Sequence, residues 1–186
     1  YASIYEDNKG KLALDAPPHS GYQTHTNYMS QNTYNYEYIE DSSGSRRGKF
    51  YQRFELRDGD CFGDDNWNDC AADRERVEFS SRPTQEPEGI QCFAYSIKLD
   101  SDFIDIYPTN TDLGQIHQKG GPSGKAGGFL SLPPLIQIGA KHGKLHFGWH
   151  SLKGSPTNIR DKRIDYHLLN ISDMIEKWND ISFCLN

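Results

Sequence analysis

The stretch "KFYQRFELRDGD", residues 49 to 60, alternates in side-chain character along its length. An extended chain places Phe50, Gln52, Phe54 and Leu56 on one side and Tyr51, Arg53, Glu55 and Arg57 on the other. A period of two residues is that of a β-strand, in which successive side chains point to opposite faces. The stretch therefore predicts a strand with one apolar and one charged face.

Three further stretches have strand character: "RERVEFS" (74–80), "IQCFAYSIKL" (90–99) and "KLHFGWHSL" (144–152). Turn signals separate them, such as Asp58-Gly59, His142-Gly143 and the glycine-rich loop 119–128. Only "SDMIEKWND" (172–180) has helical spacing, and it predicts one or two turns capped by Ser172. Many short strands predict an all-β fold, either a sandwich or a jelly roll.

The composition limits the classes of function. A length of 186 residues predicts a single domain over residues 1–186. The formal net charge of -6 argues against a nucleic-acid partner, since phosphate contacts need a basic surface. No apolar run reaches the length that spans a bilayer, so we expect a soluble protein with no membrane partner.

Four cysteines form an even set without the spacing of a zinc site. Cys61 and Cys70 are close enough in sequence to close a short disulfide loop. Disulfides predict a secreted or extracellular protein, with the periplasm as another oxidising compartment. The alternative is four buried thiols in a cytosolic protein.

Two groups of polar residues are candidates for a binding site. Alternating strand faces would present Arg53, Arg57, Arg74 and Arg76, whose guanidinium groups suit a sugar carboxylate. The alternative is ion pairing of these arginines with Glu55 and Glu78. In "LGQIHQKGG" (113–121), Gln115 and His117 are two apart and would share one strand face. The amide of Gln115 could bind a carboxylate while the imidazole of His117 moves a proton. The alternative is a hydrogen-bonded, structural His117.

The sequence does not favour a metal site. Three histidines, His142, His146 and His150, follow one another at intervals of four, which on a helix would suit a metal ion. Their glycine-containing, alternating context predicts a strand instead. On a strand these histidines lie too far apart to chelate one ion together. An acidic cluster offers oxygen ligands for calcium, but its order does not match a calcium loop and is typical of a solvated acidic loop; it comprises Asp58, Asp60, Asp64, Asp65 and Asp69. We therefore expect no metal and no required cofactor, with calcium binding by the acidic cluster as the alternative.

Four segments together resemble the heparin-lyase-I-like and alginate-lyase-like polysaccharide lyases: "RFELRDGDC", "NDCAADRERVEFS", "LGQIHQ" and "PPLIQIGAKHGKLHF". The resemblance covers about residues 48 to 184. It implies a β-jelly-roll (concanavalin-like) sandwich with a concave substrate-binding sheet. It also implies cleavage of an acidic, uronate-containing polysaccharide by β-elimination, in which the carboxylate is neutralised, a base takes the C5 proton and an acid protonates O4.

The resemblance assigns roles to individual residues. Arg76 and Gln115 would neutralise the carboxylate, and His117 would act as neutraliser or base. Glu78 would orient Arg76. The full set of candidate substrate contacts is Arg53, Arg57, Arg74, Glu78, Lys119 and His146.

The chain departs from the family pattern at two places. Ser80 stands where the alginate-lyase version has a second arginine, and no late "YxKxGxY" segment supplies the family's catalytic tyrosine. A longer chain, a second chain or fragment that supplies missing strands, or a local tyrosine would each explain this; the local candidates are Tyr28, Tyr34, Tyr36, Tyr38, Tyr51 and Tyr95. The alternative function is a non-catalytic carbohydrate-binding, lectin-like jelly-roll module.

Overall fold

The structure is a computed structural model of the chain, and it describes residues 32–61, 68–78, 89–117, 133–155 and 158–185. The chain forms two compact units. Unit 1 comprises Tyr1–Ser96 and Asp180–Asn186, and unit 2 comprises Ile97–Asn179. This division does not test the prediction of a single domain over residues 1–186, which stays a prediction.

The fold is mostly β-sheet, in three antiparallel sheets within the described residues, which confirms the all-β expectation. The elements in chain order are β1 (Tyr36–Glu40), β2 (Phe50–Phe54), β3 (Gln91–Ile97), β4 (Thr111–Ile116), β5 (Ile136–Lys141), β6 (Lys144–Ser155), β7 (Asn158–Asn170), α1 (Ile171–Met174) and β8 (Asn179–Leu185). Short 3-10 turns lie at Thr33–Asn35 and Cys70–Ala72.

In unit 1, β1 pairs with β2, and the predicted strand at 49–60 proves shorter, ending at Phe54. Within β2 the alternation holds, but exposure does not follow it: Phe54 of the apolar side is 45% exposed, while Tyr51 and Arg53 of the charged side are half-buried. In a two-stranded ribbon, cross-strand side-chain pairs are a main source of contact. Here Arg53 pairs with Glu37 across the ribbon, at 2.7 Å.

The predicted strand "RERVEFS" is also wrong where the structure describes it. Residues 74–78 belong to no strand, and Phe79 and Ser80 lie outside the described residues. This segment makes backbone hydrogen bonds outside any strand ladder, such as the one that Arg76 N donates to Asp60 O at 2.9 Å. Periodicity alone does not supply the partner strand that a sheet needs.

Two disulfides close loops in unit 1. Cys61 bonds to Cys70, as predicted, and Cys92 bonds to Cys184, a pairing that the sequence left open. The second bond joins β3 to β8, which are neighbours in a two-stranded sheet. Two such bonds indicate an oxidising, extracellular-type environment.

In unit 2, β4, β5, β6 and β7 form one antiparallel sheet in that order. Directly opposed residues of antiparallel strands share a face. One face carries Ile138 of β5 opposite Phe147 of β6, and Ala140 opposite Leu145. Ile138, Ala140 and Leu145 are buried, so this face contributes to the core of unit 2.

The predicted helical segment is a single turn, α1, which begins one residue before Ser172. Asn170, rather than the predicted Ser172, occupies the N-cap position. Met174 is buried, and the chain becomes extended at Ile175, which bridges to Leu99. In the described part of the chain, no helix is long and apolar enough to cross a membrane.

Candidate functional site

The second face of the unit 2 sheet is polar. Register places Gln115 of β4 opposite Gln137 of β5, and Gln137 opposite Gly148 of β6. The same reasoning extends the set across all four strands. We call this set the polar face, and it consists of Asp112, Gln115, Gln137, Gly139, Lys141, Lys144, His146, Gly148, His150, Asp161, Arg163, Asp165 and His167.

A chain of hydrogen bonds crosses the polar face. Arg163 Nη1 donates to Gln137 Oε1 at 2.9 Å, and Gln137 Nε2 donates to Asp112 Oδ2 at 3.3 Å. Arg163 Nε also donates to Asp165, at 2.8 Å. Each amide end of Gln137 therefore has a partner, and the chain links β4, β5 and β7.

Two glycines lie directly beneath these polar groups. A Cβ at Gly148 would meet Arg163 Nη2 and Asp165 Oδ1, each at 2.9 Å. A Cβ at Gly139 would meet the backbone oxygen of Thr111 at 2.8 Å. The backbone of β4 therefore excludes a Cβ at Gly139, whereas at Gly148 a Cβ would require flexible side chains to move.

Two histidines of the polar face touch across β6 and β7. The rings of His146 and His167 have centroids 4.4 Å apart and meet edge to face. His146 Nε2 also lies 3.0 Å from the backbone oxygen of Lys141. His146, a predicted substrate contact, therefore lies on the same face as Gln115.

A third histidine, His150, is buried and pairs with an exposed carboxylate. His150 Nδ1 lies 2.9 Å and 3.1 Å from the two oxygens of Asp161. The side chain of His150 is 7% exposed, and its Nε2 has no hydrogen-bond partner. In the sequence, His150 stands out only as a possible metal ligand, and its pairing with Asp161 was not predicted.

The end of β4 falls within the segment "LGQIHQKGG", so its candidate residues have different positions. Gln115 is an exposed residue of the strand, and His117 follows the last strand residue, Ile116, and is half-buried. Lys119 lies outside the described residues. The structure therefore places Gln115 on the polar face and His117 at its β4 end.

The arginine candidates lie in unit 1, where most have carboxylate partners. Arg76 lies 3.1 Å from Asp69 and 3.3 Å from Glu78. Arg53 and Arg57 both pair with Glu55. The ion-pairing interpretation of these three arginines is therefore confirmed, and it does not preclude their contact with a ligand.

Arg74 is an exposed residue of the same segment. Arg76 and Gln115 belong to different units, so their convergence on one sugar carboxylate stays a prediction.

Two of the three described aspartates of the acidic cluster, Asp60 and Asp69, are buried, whereas the sequence predicts a solvated loop. Asp60 is only 5% exposed and accepts hydrogen bonds from the side chains of Asn32, Tyr34 and Asn35 and from Arg57 N. Burial raises the pKa of Asp60, but these hydrogen bonds outweigh it and hold the pKa below its usual value.

The other aspartates of the cluster differ in solvent exposure. Asp69 is fully buried, Asp58 is exposed, and Asp64 and Asp65 lie outside the described residues. Buried aspartates need donors rather than solvent, so Asp60 and Asp69 serve the fold. Among the residues that the structure describes, no group of three or more histidine, cysteine or acidic side chains could hold a metal ion.

Two candidate tyrosines are poorly suited to accept a proton. Tyr34 donates its hydroxyl to Asp60 at 2.8 Å, and this bond raises the pKa of Tyr34. Burial raises the pKa of Tyr95. Tyr28 and the side chain of Tyr38 lie outside the described residues. The structure therefore does not supply a local replacement in Tyr34 or Tyr95.

Sequence reasoning missed the contribution of β7 to the polar face. Asp161, Arg163, Asp165 and His167 follow one another at every second position in "RDKRIDYH" (160–167). This is the same two-residue period that identified the stretch at 49–60. Applied to residues 160–167, this two-residue period would have predicted that one side of β7 is polar.

Comparison with models of known protein families, with curated proteins and with solved structures finds no match for this chain.

Proposed function

We propose that this protein is a secreted polysaccharide lyase with a jelly-roll fold, which binds a uronate-containing polymer along the polar face and cleaves it by β-elimination. One observation carries the proposal. Gln115 lies opposite Gln137 on neighbouring strands, and Gln137 accepts a hydrogen bond from Arg163. Amide and guanidinium donors on one sheet face are suited to a row of sugar hydroxyls and carboxylates.

The chemistry assigns a task to each group. The exposed amide of Gln115 donates to the uronate carboxylate, so that charge can move onto it as the C5 proton leaves. His117, at the end of β4, is a neutraliser or a base.

One observation favours a second candidate, a non-catalytic carbohydrate-binding module. The polar face carries three carboxylates, those of Asp112, Asp161 and Asp165, against three cations, the guanidinium of Arg163 and the ammonium groups of Lys141 and Lys144. A face without net positive charge has little attraction for a polyanion. A module that binds a less acidic polysaccharide without cleaving it fits the same geometry.

The experiment is an assay of product absorbance on alginate, glucuronan and heparin-like polymers. We expect an unsaturated product from at least one polymer, lost in Gln115→Ala and in His117→Ala. His142→Asn is the control, because His142 lies in the exposed turn between β5 and β6 with a positive φ that suits asparagine. Binding without any change in polymer length would favour the module and contradict the lyase.

A further inference from the structure

The hairpin formed by β6 and β7 extends beyond the rest of the unit 2 sheet. β5 pairs with β6 only as far as Trp149. Among the described strands, β7 is the only partner of β6 from Ser151 to Ser155. This part of the hairpin is a two-stranded ribbon, so each of its strands has a neighbouring strand on one flank only.

One side of the ribbon carries only positive charge. Lys153 of β6 lies directly opposite Arg160 of β7, and Lys162 shares their side because it is two residues from Arg160. All three side chains are exposed, and in the described part of the chain none of them forms an ion pair. The acidic residues of β7, Asp161 and Asp165, lie on the opposite side, and β6 has no acidic residue.

The pairing of Lys153 with Arg160 opposes the stability of the ribbon. Directly opposed residues of antiparallel strands have Cβ atoms about 5 Å apart, and like charges at that distance repel. The other arginine of β7, Arg163, has a carboxylate partner in Asp165, whereas Arg160 faces a second cation. A local rule broken in this way is typical of a functional position. An anion bound between Lys153 and Arg160 would remove the repulsion, so the pair indicates an anionic ligand.

Two exposed aromatic side chains lie on the same side of the hairpin as these cations. Trp149 is four residues before Lys153 on β6, and Tyr166 is four residues after Lys162 on β7. Trp149 is 46% exposed and Tyr166 is 52% exposed. Such rings offer a flat apolar surface with a polar donor at one end, which suits the C–H face and the hydroxyls of a sugar ring. We call this set the basic strip, and it consists of Trp149, Lys153, Arg160, Lys162 and Tyr166.

The basic strip and the polar face lie on opposite sides of the sheet. Their residues alternate along β7, where Asp161 and Arg163 belong to the polar face and Lys162 to the strip. The polar face has as many carboxylates as cations, whereas the strip has three cations and no carboxylate. A polyanion is therefore attracted more strongly to the strip than to the polar face.

We propose that the basic strip is a second binding site for an acidic polysaccharide, separate from the groups that cleave it. Lys153, Arg160 and Lys162 bind the acidic groups of the polymer, and Trp149 and Tyr166 stack on its sugar rings. The class of ligand rests on the proposed function. A polymer held at the strip keeps its remaining repeats at a high effective concentration near the polar face.

The net charge of the chain favours a polymer over an anionic membrane as the occupant. A membrane surface faces the charge of the whole molecule, which is -6 and therefore repels it. A single polymer strand contacts the strip alone, and salt screens the more distant acidic residues beyond about 8 Å. The ligand is therefore a flexible polyanion.

The first test measures binding to alginate by calorimetry at low ionic strength, with full-length chains that carry His117→Ala so that the polymer stays intact. The strip variant replaces Lys153, Arg160 and Lys162 with glutamine. The control variant replaces one arginine and two lysines at exposed positions elsewhere with glutamine, namely Arg47, Lys49 and Lys177.

We expect the strip variant to bind alginate at least about tenfold more weakly, and the control variant to bind within about twofold of the parent. The strip variant should stay folded, because its substitutions remove a like-charge repulsion, and urea denaturation checks this. Equal losses in the two variants, or a parent that binds no alginate, overturn the inference. A strip that binds vesicles of anionic phospholipid but not alginate overturns it as well.

The second test measures cleavage with His117 intact. We expect the strip variant to raise KM for the polymer about tenfold and to leave kcat unchanged, because the strip does not touch the reacting atoms. A strip variant that binds and cleaves like the wild type overturns the second site and leaves the lyase function standing. A wild type that binds alginate through the strip but cleaves none of the polymers overturns the lyase function and leaves the second site standing.

Discussion

Arg76 Nε lies 3.1 Å from Oδ2 of Asp69, a carboxylate with no exposed side-chain surface. A second contact joins Arg76 Nη2 to Asp69 Oδ1, at 3.2 Å. An ionised carboxylate is stable in such a place only with a partner, since its desolvation costs several kcal/mol. The guanidinium is therefore part of the fold of unit 1 before any ligand is considered.

Arg76→Ala should lower the free energy of unfolding by about 3 kcal/mol, because it removes the guanidinium that pairs with the buried carboxylate of Asp69. Urea denaturation monitored by tryptophan fluorescence measures the loss. Arg47→Ala, which removes the same charge from an exposed residue, should change stability by less than about 0.5 kcal/mol. Equal losses in the two variants would show that the contact with Asp69 contributes little.

The two disulfides should differ in how much they stabilise the fold. Loop-closure entropy predicts about 4–5 kcal/mol for Cys92–Cys184 and about 2–3 kcal/mol for Cys61–Cys70. The difference follows from sequence separations of 92 and 9 residues. Thermal unfolding of the two paired Cys→Ala variants tests this order, and a larger loss from the shorter loop would contradict the entropic account.

Asp60 should contribute to acid sensitivity. Its folded-state pKa lies below its usual value, so its stabilisation is fully present above the unfolded-state pKa of ~3.9 and is lost as pH falls through the folded-state pKa. We expect the stability difference between wild type and Asp60→Asn to shrink below about pH 4. Urea titrations at a series of pH values measure it.

Asp58→Asn is the control for Asp60, since Asp58 is exposed in the same turn. A stability difference for Asp60→Asn that stays constant down to the acid transition would contradict a titrating role for Asp60.

The all-β class was predictable because strands leave a period of two in the sequence. β3 and β6 follow from dense aromatic and β-branched stretches, and the structure confirms both. The segment at 74–78 has the same period but no partner strand. Pairing is a long-range property, so periodicity near one residue cannot reveal it.

The candidate site was predictable only in part, for the same reason. Gln115 and His146 were identified from local patterns, but their place on one face depends on the register of four strands. The bonds of Arg163 with Gln137 and of His150 with Asp161 join residues 26 and 11 positions apart. Their roles became visible only once the sheet was assembled.

The two glycines of the polar face should respond differently to the same substitution. Gly139→Ala drives its Cβ against the backbone oxygen of Thr111, which can move only if β4 and β5 separate. We expect a loss of about 1–3 kcal/mol in the free energy of unfolding, the usual cost of overpacking. Gly148→Ala instead meets the ends of the Arg163 and Asp165 side chains, which can rotate away.

Gly148→Ala should therefore keep most of the stability but displace Arg163 from Gln137, and so lower saccharide binding or cleavage. Urea denaturation together with the polymer assay separates the two effects, because Gly139→Ala acts on the sheet and Gly148→Ala on the surface of the site. Full activity in a stable Gly148→Ala protein would mean that the bond between Arg163 and Gln137 does not position the ligand. The polar face would then require a different set of binding residues.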